Sequence, residues 1–147
     1  MYTPGKLIYF DPFFFKDDNA NKPKYFLVIK VIGEDAILTS LPSSQVHLPR
    51  NQAIEHGCLE LPESGIGCYI FLADKPITKG GWSFPLNTFL YGLWLDDFAV
   101  SQLEARYIVK GVDYKIIGEL TDTELKNVVD CFKNSGSVKR KYKRLLE

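Results

Sequence analysis

Short apolar runs alternate with polar turns along the first third of the chain, a pattern typical of antiparallel strands. Residues 6–10 form one such run, which stops at Asp11-Pro12. Residues 24–32 form a longer run that is dense in aromatic and β-branched side chains, the composition of a buried strand. Between the two runs, residues 16–23 are polar and rich in turn formers, which predicts an exposed loop.

The next apolar run predicts a β-hairpin. Gly33-Glu34-Asp35 separates the long run from residues 36–41, and a short connection that contains glycine favours antiparallel pairing. Pro42 follows, and because proline has no N–H to donate to a strand ladder, it should end the second strand.

The middle of the chain is less regular. Residues 43–67 contain several prolines and glycines with little periodicity, which predicts a long insertion over the surface. Residues 68–72, 88–93 and 112–120 are further strand candidates, and residues 96–106 could form a short helix.

An amphipathic helix is predicted near the end of the chain. Thr121 and Glu124 have the spacing of a capping box, in which each side chain bonds to a free backbone N–H of the first turn. Four apolar residues then recur at helical spacing, namely Leu125, Val128, Val129 and Phe132. Asn134-Ser135-Gly136 should end the helix. We therefore predict one mainly β domain over residues 1–147, with antiparallel sheets and a C-terminal helix.

Charge is unevenly distributed along this neutral chain. Lys and Arg total 18, as do Asp and Glu, yet residues 138–147 carry a net charge of +4 and the remainder carries −4. We describe residues 138–147 as a basic C-terminal tail, and a short tail of this kind is usually solvated. It could also bind an RNA backbone or an acidic partner. With 46% hydrophobic residues, the chain can bury a sizeable core, which excludes a disordered protein.

Several classes of protein are not expected. The apolar runs are far shorter than the roughly 20 residues of a membrane-spanning helix, and the N-terminus lacks the features of a secretory signal. Three cysteines without a C-x-x-C pair favour reduced thiols over a disulfide framework or a zinc site. The chain also lacks the glycine-rich motifs of nucleotide sites, so no cofactor and no metal are expected. We therefore expect a cytoplasmic protein that does not associate with a membrane.

Several short motifs follow one another in a distinctive order: Pro4-Gly5-Lys6-Leu7-Ile8-Tyr9-Phe10-Asp11-Pro12, Lys22-Pro23 before Leu27-Val28-Ile29, then Ile37-Leu38-Thr39-Ser40, and Ile117-Gly118-Glu119-Leu120 before the helix. This order resembles that of the MazF/PemK-like toxins, small bacterial proteins with an SH3-like β-barrel. The resemblance covers residues 4–45 and 112–133, whereas the elaborated middle, residues 46–111, is longer than is usual in the family. It implies an SH3-like antiparallel barrel that forms a homodimer.

This resemblance also implies metal-independent cleavage of single-stranded RNA by the toxin of a toxin–antitoxin pair, with an antitoxin protein as a partner. In that reaction a ribose 2′-hydroxyl attacks phosphorus, so its proton must be accepted and the charge on phosphate stabilised. In the family, an Arg before Pro and a Thr or Ser at a strand end supply the stabilising contacts. Thr39 and Ser40 match the strand-end positions here. Lysine replaces the arginine: Lys22 if the proline is aligned, or Lys24 if the following strand is aligned.

Three further residues are candidates for substrate binding. His47 could act as a base near neutral pH and Arg50 could bind phosphate, although a histidine in such a loop is more often structural. In the run Phe13-Phe14-Phe15, alternate rings should be buried, but one of them, with Phe13 as the candidate, could stack on a nucleobase. Core packing or a dimer contact is the alternative for these rings.

Two other functions compete with the endoribonuclease. The same barrel could be a non-catalytic module that binds RNA or a protein. It could also be a toxin similar to the CcdB-like toxins, which inhibit a protein target such as DNA gyrase.

Overall fold

In a computed structural model, which describes residues 1–16 and 21–147, the chain forms two antiparallel sheets and three α-helices. The strands are β1 (Lys6–Phe13), β2 (Lys22–Val31), β3 (Ala36–Ser40), β4 (Gly57–Leu61), β5 (Ile66–Phe71), β6 (Thr88–Tyr91), β7 (Asp96–Ala99) and β8 (Tyr114–Glu119). The helices are α1 (Val100–Arg106), α2 (Asp122–Lys133) and α3 (Arg140–Leu146). The larger sheet has the strand order β7-β3-β2-β1-β8, and the smaller sheet has the order β4-β5-β6.

Strand β2 lies at the centre of the larger sheet and is buried on both faces, which explains its continuous apolar sequence. On one face Leu27 and Ile29 pack in a core shared with the smaller sheet, α2 and α3. On the other face Phe26 and Val28 pack in a second core that includes Leu103 of α1. The predicted hairpin of β2 with β3 is confirmed by their antiparallel pairing.

The predicted helix near the end of the chain is confirmed as α2. The Thr121 hydroxyl accepts a hydrogen bond from the Glu124 backbone N–H at 3.2 Å, which is one half of the expected capping box. The helix buries Val128, Cys131 and Phe132. It therefore attaches to the sheets through the apolar side that the spacing predicted.

The fold class is confirmed as mainly β with antiparallel sheets and added helices. The two sheets meet through the isolated bridge of Ser43 with Phe89. No closed barrel forms among the described residues, so the SH3-like barrel is not shown.

Two segments carry more regular structure than the sequence indicated. Strand β4 lies within the predicted insertion, residues 43–67, where its backbone pairs with β5. The segment expected to be a solvated tail contains α3, which is docked on the core by Tyr142 and Leu146, 4% and 3% exposed. These two apolar residues are one helical turn apart, and their burial leaves the lysines and arginines of α3 outside the core.

The expectation of three reduced thiols is wrong. Cys58 of β4 and Cys131 of α2 are joined by a disulfide, with their Cα atoms 5.5 Å apart, and Cys68 is the free cysteine. The paired cysteines are 73 residues apart in sequence, so only the packing of α2 against the smaller sheet brings them together. Because disulfides are rare in cytosolic proteins, cysteine usage no longer supports a cytoplasmic location.

None of the helices in the described ranges is long and apolar enough to cross a membrane.

Candidate functional site

A cleft of about 690 Å³ opens where β2 begins and β3 ends. Its walls come from the first residues of β2, from residues 41–45 that follow β3, and from residues 84–88 that lead into β6. The two sheets therefore both contribute to it.

Two lysines of β2 line this cleft. Lys22 and Lys24 are two residues apart in the strand, so their side chains project from the same face of it. The Lys24 ammonium donates a hydrogen bond to the Pro42 carbonyl at 3.2 Å, which holds it against the chain that leaves β3. Burial, with a smaller contribution from the charge of Lys22, lowers the pKa of Lys24 below its usual value.

Two serines that follow Pro42 also line the cleft. The backbone of Ser43 exchanges two hydrogen bonds with Phe89 of β6, at 3.0 and 2.7 Å, so its position is fixed against the smaller sheet. The Ser43 hydroxyl accepts a hydrogen bond from the Gln45 N–H at 3.1 Å, which leaves its own hydrogen free to donate. Ser44 is exposed and lines the same wall.

Aromatic rings form much of the remaining surface of the cleft. The Tyr25 ring centroid lies 5.0 Å from those of both Tyr9 and Phe84. Trp94 is 45% exposed at the rim, and Phe15 lines another part of the wall. Flat apolar surfaces of this kind can pack against a planar ring of a ligand.

The strand-end residues that the sequence predicted do not line the cleft. Thr39 and Ser40 are 0% and 1% exposed, because hydrophobic cores cover both faces of β3. The Thr39 hydroxyl donates to the Leu27 carbonyl and so completes the strand contacts. Ser43 and Ser44, which were not predicted, line the cleft just beyond this strand end. The feature of the sequence that could have indicated these two serines is their position directly after the proline that ends β3.

The three predicted substrate-binding residues do not come together in the cleft. His47 is exposed beside the rim, where its ring centroid is 5.4 Å from that of Trp94. Arg50 is exposed in the turn after Pro49 and does not line the cleft. Phe13 is 1% exposed within a cluster of aromatic rings, so it is not open to a base. Its neighbour in the run, Phe15, lines the cleft instead.

The side chains that line the cleft define its chemistry. Among the described residues they supply two ammonium groups, serine hydroxyls and aromatic rings, but no carboxylate and no imidazole. The described part of the chain also contains no group of three or more His, Cys, Asp or Glu residues that could hold a metal ion. The arrangement fits a ligand that carries both an anionic group and a planar ring.

Comparisons of the chain with protein-family models, with curated proteins and with solved structures found no match.

Proposed function

We propose that the protein binds single-stranded RNA in this cleft and cleaves it without a metal ion, as a toxin-like endoribonuclease. The observation that carries the proposal is that Lys22 and Lys24 line the same cleft as Ser43 and Ser44, together with several aromatic rings. The motif order that resembles the MazF/PemK-like toxins supports the same function. An antitoxin protein and a second copy of the chain are the partners that this proposal includes.

Single-stranded RNA suits the cleft because each nucleotide combines a phosphate with a base. Ammonium groups and hydroxyls can hold the phosphate through charge-assisted hydrogen bonds. Exposed rings such as Trp94 can stack on a base once it is free of a duplex. A volume of 690 Å³ also lies within the range of about 300–1,000 Å³ that is usual for ligand sites.

Cleavage in this cleft would use Lys24 as the proton acceptor. The ribose 2′-oxygen forms a bond to phosphorus as its proton passes to the neutral amine of Lys24, and the bond from phosphorus to the 5′-oxygen breaks. Water returns a proton to that leaving oxygen. Lys22 and the Ser43 hydroxyl stabilise the charge on the phosphate oxygens. The lowered pKa of Lys24 supports this role because it increases the fraction of neutral amine at a given pH.

Binding without cleavage is the second candidate function. The described lining residues include neither carboxylate nor imidazole, the two groups that most often transfer protons in enzymes. A cleft whose described charged groups are lysines alone could therefore hold RNA without reacting with it.

An RNA cleavage assay in the presence of a chelator tests the proposal. We expect cleavage of a mixed single-stranded RNA that is lost in Lys24→Ala and retained in Lys126→Ala, which removes an exposed cation of α2 outside the cleft. RNA binding without any product would favour the second candidate. Equal cleavage by all three proteins would contradict the proposed site and indicate a contaminating nuclease.

Lys24→Arg separates two roles for the lysine. Arginine keeps the positive charge but does not lose its proton in proteins. If Lys24 accepts the proton, the arginine variant binds RNA and fails to cleave it. Cleavage retained by the arginine variant would show that residue 24 acts only as a phosphate-binding cation.

A further inference from the structure

A second groove, of about 480 Å³, shares Phe15 with the cleft as a lining residue. It runs between the segment that follows β1 and the helix α1, and Phe15 is a lining residue of both hollows. The two hollows are therefore neighbours that share one aromatic wall. Nothing in the cleft chemistry described above uses this second groove.

At this groove a guanidinium is held against an aromatic ring. The Arg106 guanidinium carbon lies 4.4 Å from the centroid of the Phe14 ring, and both side chains are exposed. The Tyr107 hydroxyl accepts a hydrogen bond from the Phe14 N–H at 2.8 Å, which fixes the backbone that carries the ring. Tyr107 is itself buried, at 4% exposed, so the backbone of Phe14 is anchored to a core residue.

Arg106 is the cation that remains available for a ligand. It forms no ion pair with any residue in the described ranges. Lys16, the other cation at the groove, lies over the Phe98 ring and is already paired with Asp96 at 3.3 Å. An exposed guanidinium can stack on a base through its plane and bond to phosphate through its edge.

We propose that this groove binds the nucleotides of single-stranded RNA that extend beyond the cleft, with Arg106 and Phe14 as its contacts. The inference rests on the proposed RNA-binding function and adds a second subsite to it. RNA is a continuous polymer, so a strand held in the cleft must leave it across the protein surface. Because Phe15 lines both hollows, a strand that leaves the cleft past it reaches the Phe14 ring and the Arg106 guanidinium, which has no ion pair among the described residues. Stacking on such groups tolerates any base, so this subsite adds affinity more than sequence preference.

Affinity for RNAs of two lengths tests the second subsite. The probes are a fluorescent 2′-O-methyl trinucleotide and a 2′-O-methyl strand of about nine nucleotides, a length that spans a typical single-strand site. We expect Arg106→Ala to weaken binding of the longer strand by about tenfold, the effect of losing one stacked base, and to leave the trinucleotide unaffected. Arg106→Lys, which keeps the charge but not the planar group, should give an intermediate loss. Arg106 is exposed in the last turn of α1, so unchanged thermal unfolding should confirm that these variants are folded.

Two controls separate the failure of this inference from the failure of the proposed function. Lys24→Ala should weaken both probes equally, whereas Lys126→Ala should weaken neither. If Lys24→Ala weakens both probes and Arg106→Ala weakens neither, the cleft binds RNA and the second subsite is wrong. If Arg106→Ala weakens both probes equally, the second subsite is also wrong, because Arg106 would then contact the nucleotides in the cleft and not those beyond it. If the wild-type protein binds neither probe, the RNA-binding function and the subsite both fail.

Discussion

Nε2 of His56 lies 2.5 Å from Oε1 of Glu124, and this contact joins the chain just before β4 to the first turn of α2. Nδ1 of His56 accepts a hydrogen bond from the Leu72 N–H at 3.2 Å, so the ring hydrogen is on Nε2 and points to the carboxylate. The Tyr69 hydroxyl donates to the same carboxylate oxygen at 3.1 Å. Glu124 therefore fastens α2 to the smaller sheet, and its side chain does not close the capping box that the sequence predicted.

Removing this carboxylate should destabilise the protein. In Glu124→Ala the hydrogen-bond donors of His56 and Tyr69 lose their acceptor at a site that is largely buried. We expect the free energy of unfolding to fall by about 1–3 kcal/mol, measured by urea denaturation. Glu124→Gln keeps an acceptor oxygen and should cost less.

Glu63→Ala is the matched control for Glu124→Ala. Glu63 is an exposed glutamate in the short 3₁₀ turn after β4, so its removal should leave the denaturation midpoint unchanged. Equal stability of the Glu124→Ala and Glu63→Ala proteins would contradict a fastening role for Glu124.

Acid should weaken the attachment of α3. The Tyr142 hydroxyl donates to an Asp97 carboxylate oxygen at 2.7 Å, and this bond, with a smaller effect of the Lys16 and Lys141 charges, lowers the pKa of Asp97. Because the pKa is lower in the folded state, the stabilisation is complete above the ordinary carboxyl pKa of about 4. It is lost as the pH falls through the lowered folded value.

Tyr142→Phe isolates this effect because it removes the hydroxyl and keeps the ring. We expect the variant to be less stable than the wild-type protein at pH 7, and the difference to narrow as the pH falls below about 4. Urea denaturation of both proteins across this pH range measures the difference. A difference that stays constant with pH would show that the hydrogen bond does not act through the charge of Asp97.

Gly67 marks a close approach between β5 and the chain after α2. A Cβ placed there would lie 2.0 Å from Oγ of Ser135 and 2.4 Å from Oε1 of Glu60, and these two groups are hydrogen-bonded to each other at 2.7 Å. Gly67→Ala must therefore displace a packed polar contact, and we expect it to reduce the free energy of unfolding by about 1–3 kcal/mol.

Gly80→Ala is the corresponding control because nothing lies within 4 Å of the added carbon at that position. Thermal denaturation should show a lower midpoint for Gly67→Ala and little change for Gly80→Ala. If the two variants unfold at the same temperature, the chain after α2 is not held in the position described here.

The parts of the fold that the sequence predicted are those with a local cause. Strands β1 to β3 follow from apolar runs between turn formers, and α2 follows from Thr121 and its apolar spacing. Strand β4 and the docking of α3 depend on partners distant in sequence. Glu60, for example, receives hydrogen bonds from Ser135 and Gly136, which are more than 70 residues away. No pattern within β4 indicates those partners.

The candidate site also has one part that the sequence predicted and one part that depends on distant contacts. Lys22 and Lys24 were predicted because their place before an apolar strand matches a family motif. Thr39 and Ser43 could not be told apart in this way, since both carry a hydroxyl near the end of β3. The cores packed on the two faces of β3 bury Thr39, whereas the bridge to Phe89 places Ser43 in the cleft wall.

The pH dependence of RNA cleavage tests the chemistry proposed for Lys24. Because the neutral amine accepts the proton, the cleavage rate should rise with pH, with a midpoint below the ordinary lysine pKa of about 10.4. The charge of Lys22 helps to lower that pKa, so Lys22→Ala should move the midpoint to higher pH. Rates are measured with a chelator and corrected for the alkaline hydrolysis of RNA without protein. A midpoint that does not move in Lys22→Ala would show that the group that titrates is not Lys24, because the two lysines share one side of the same strand.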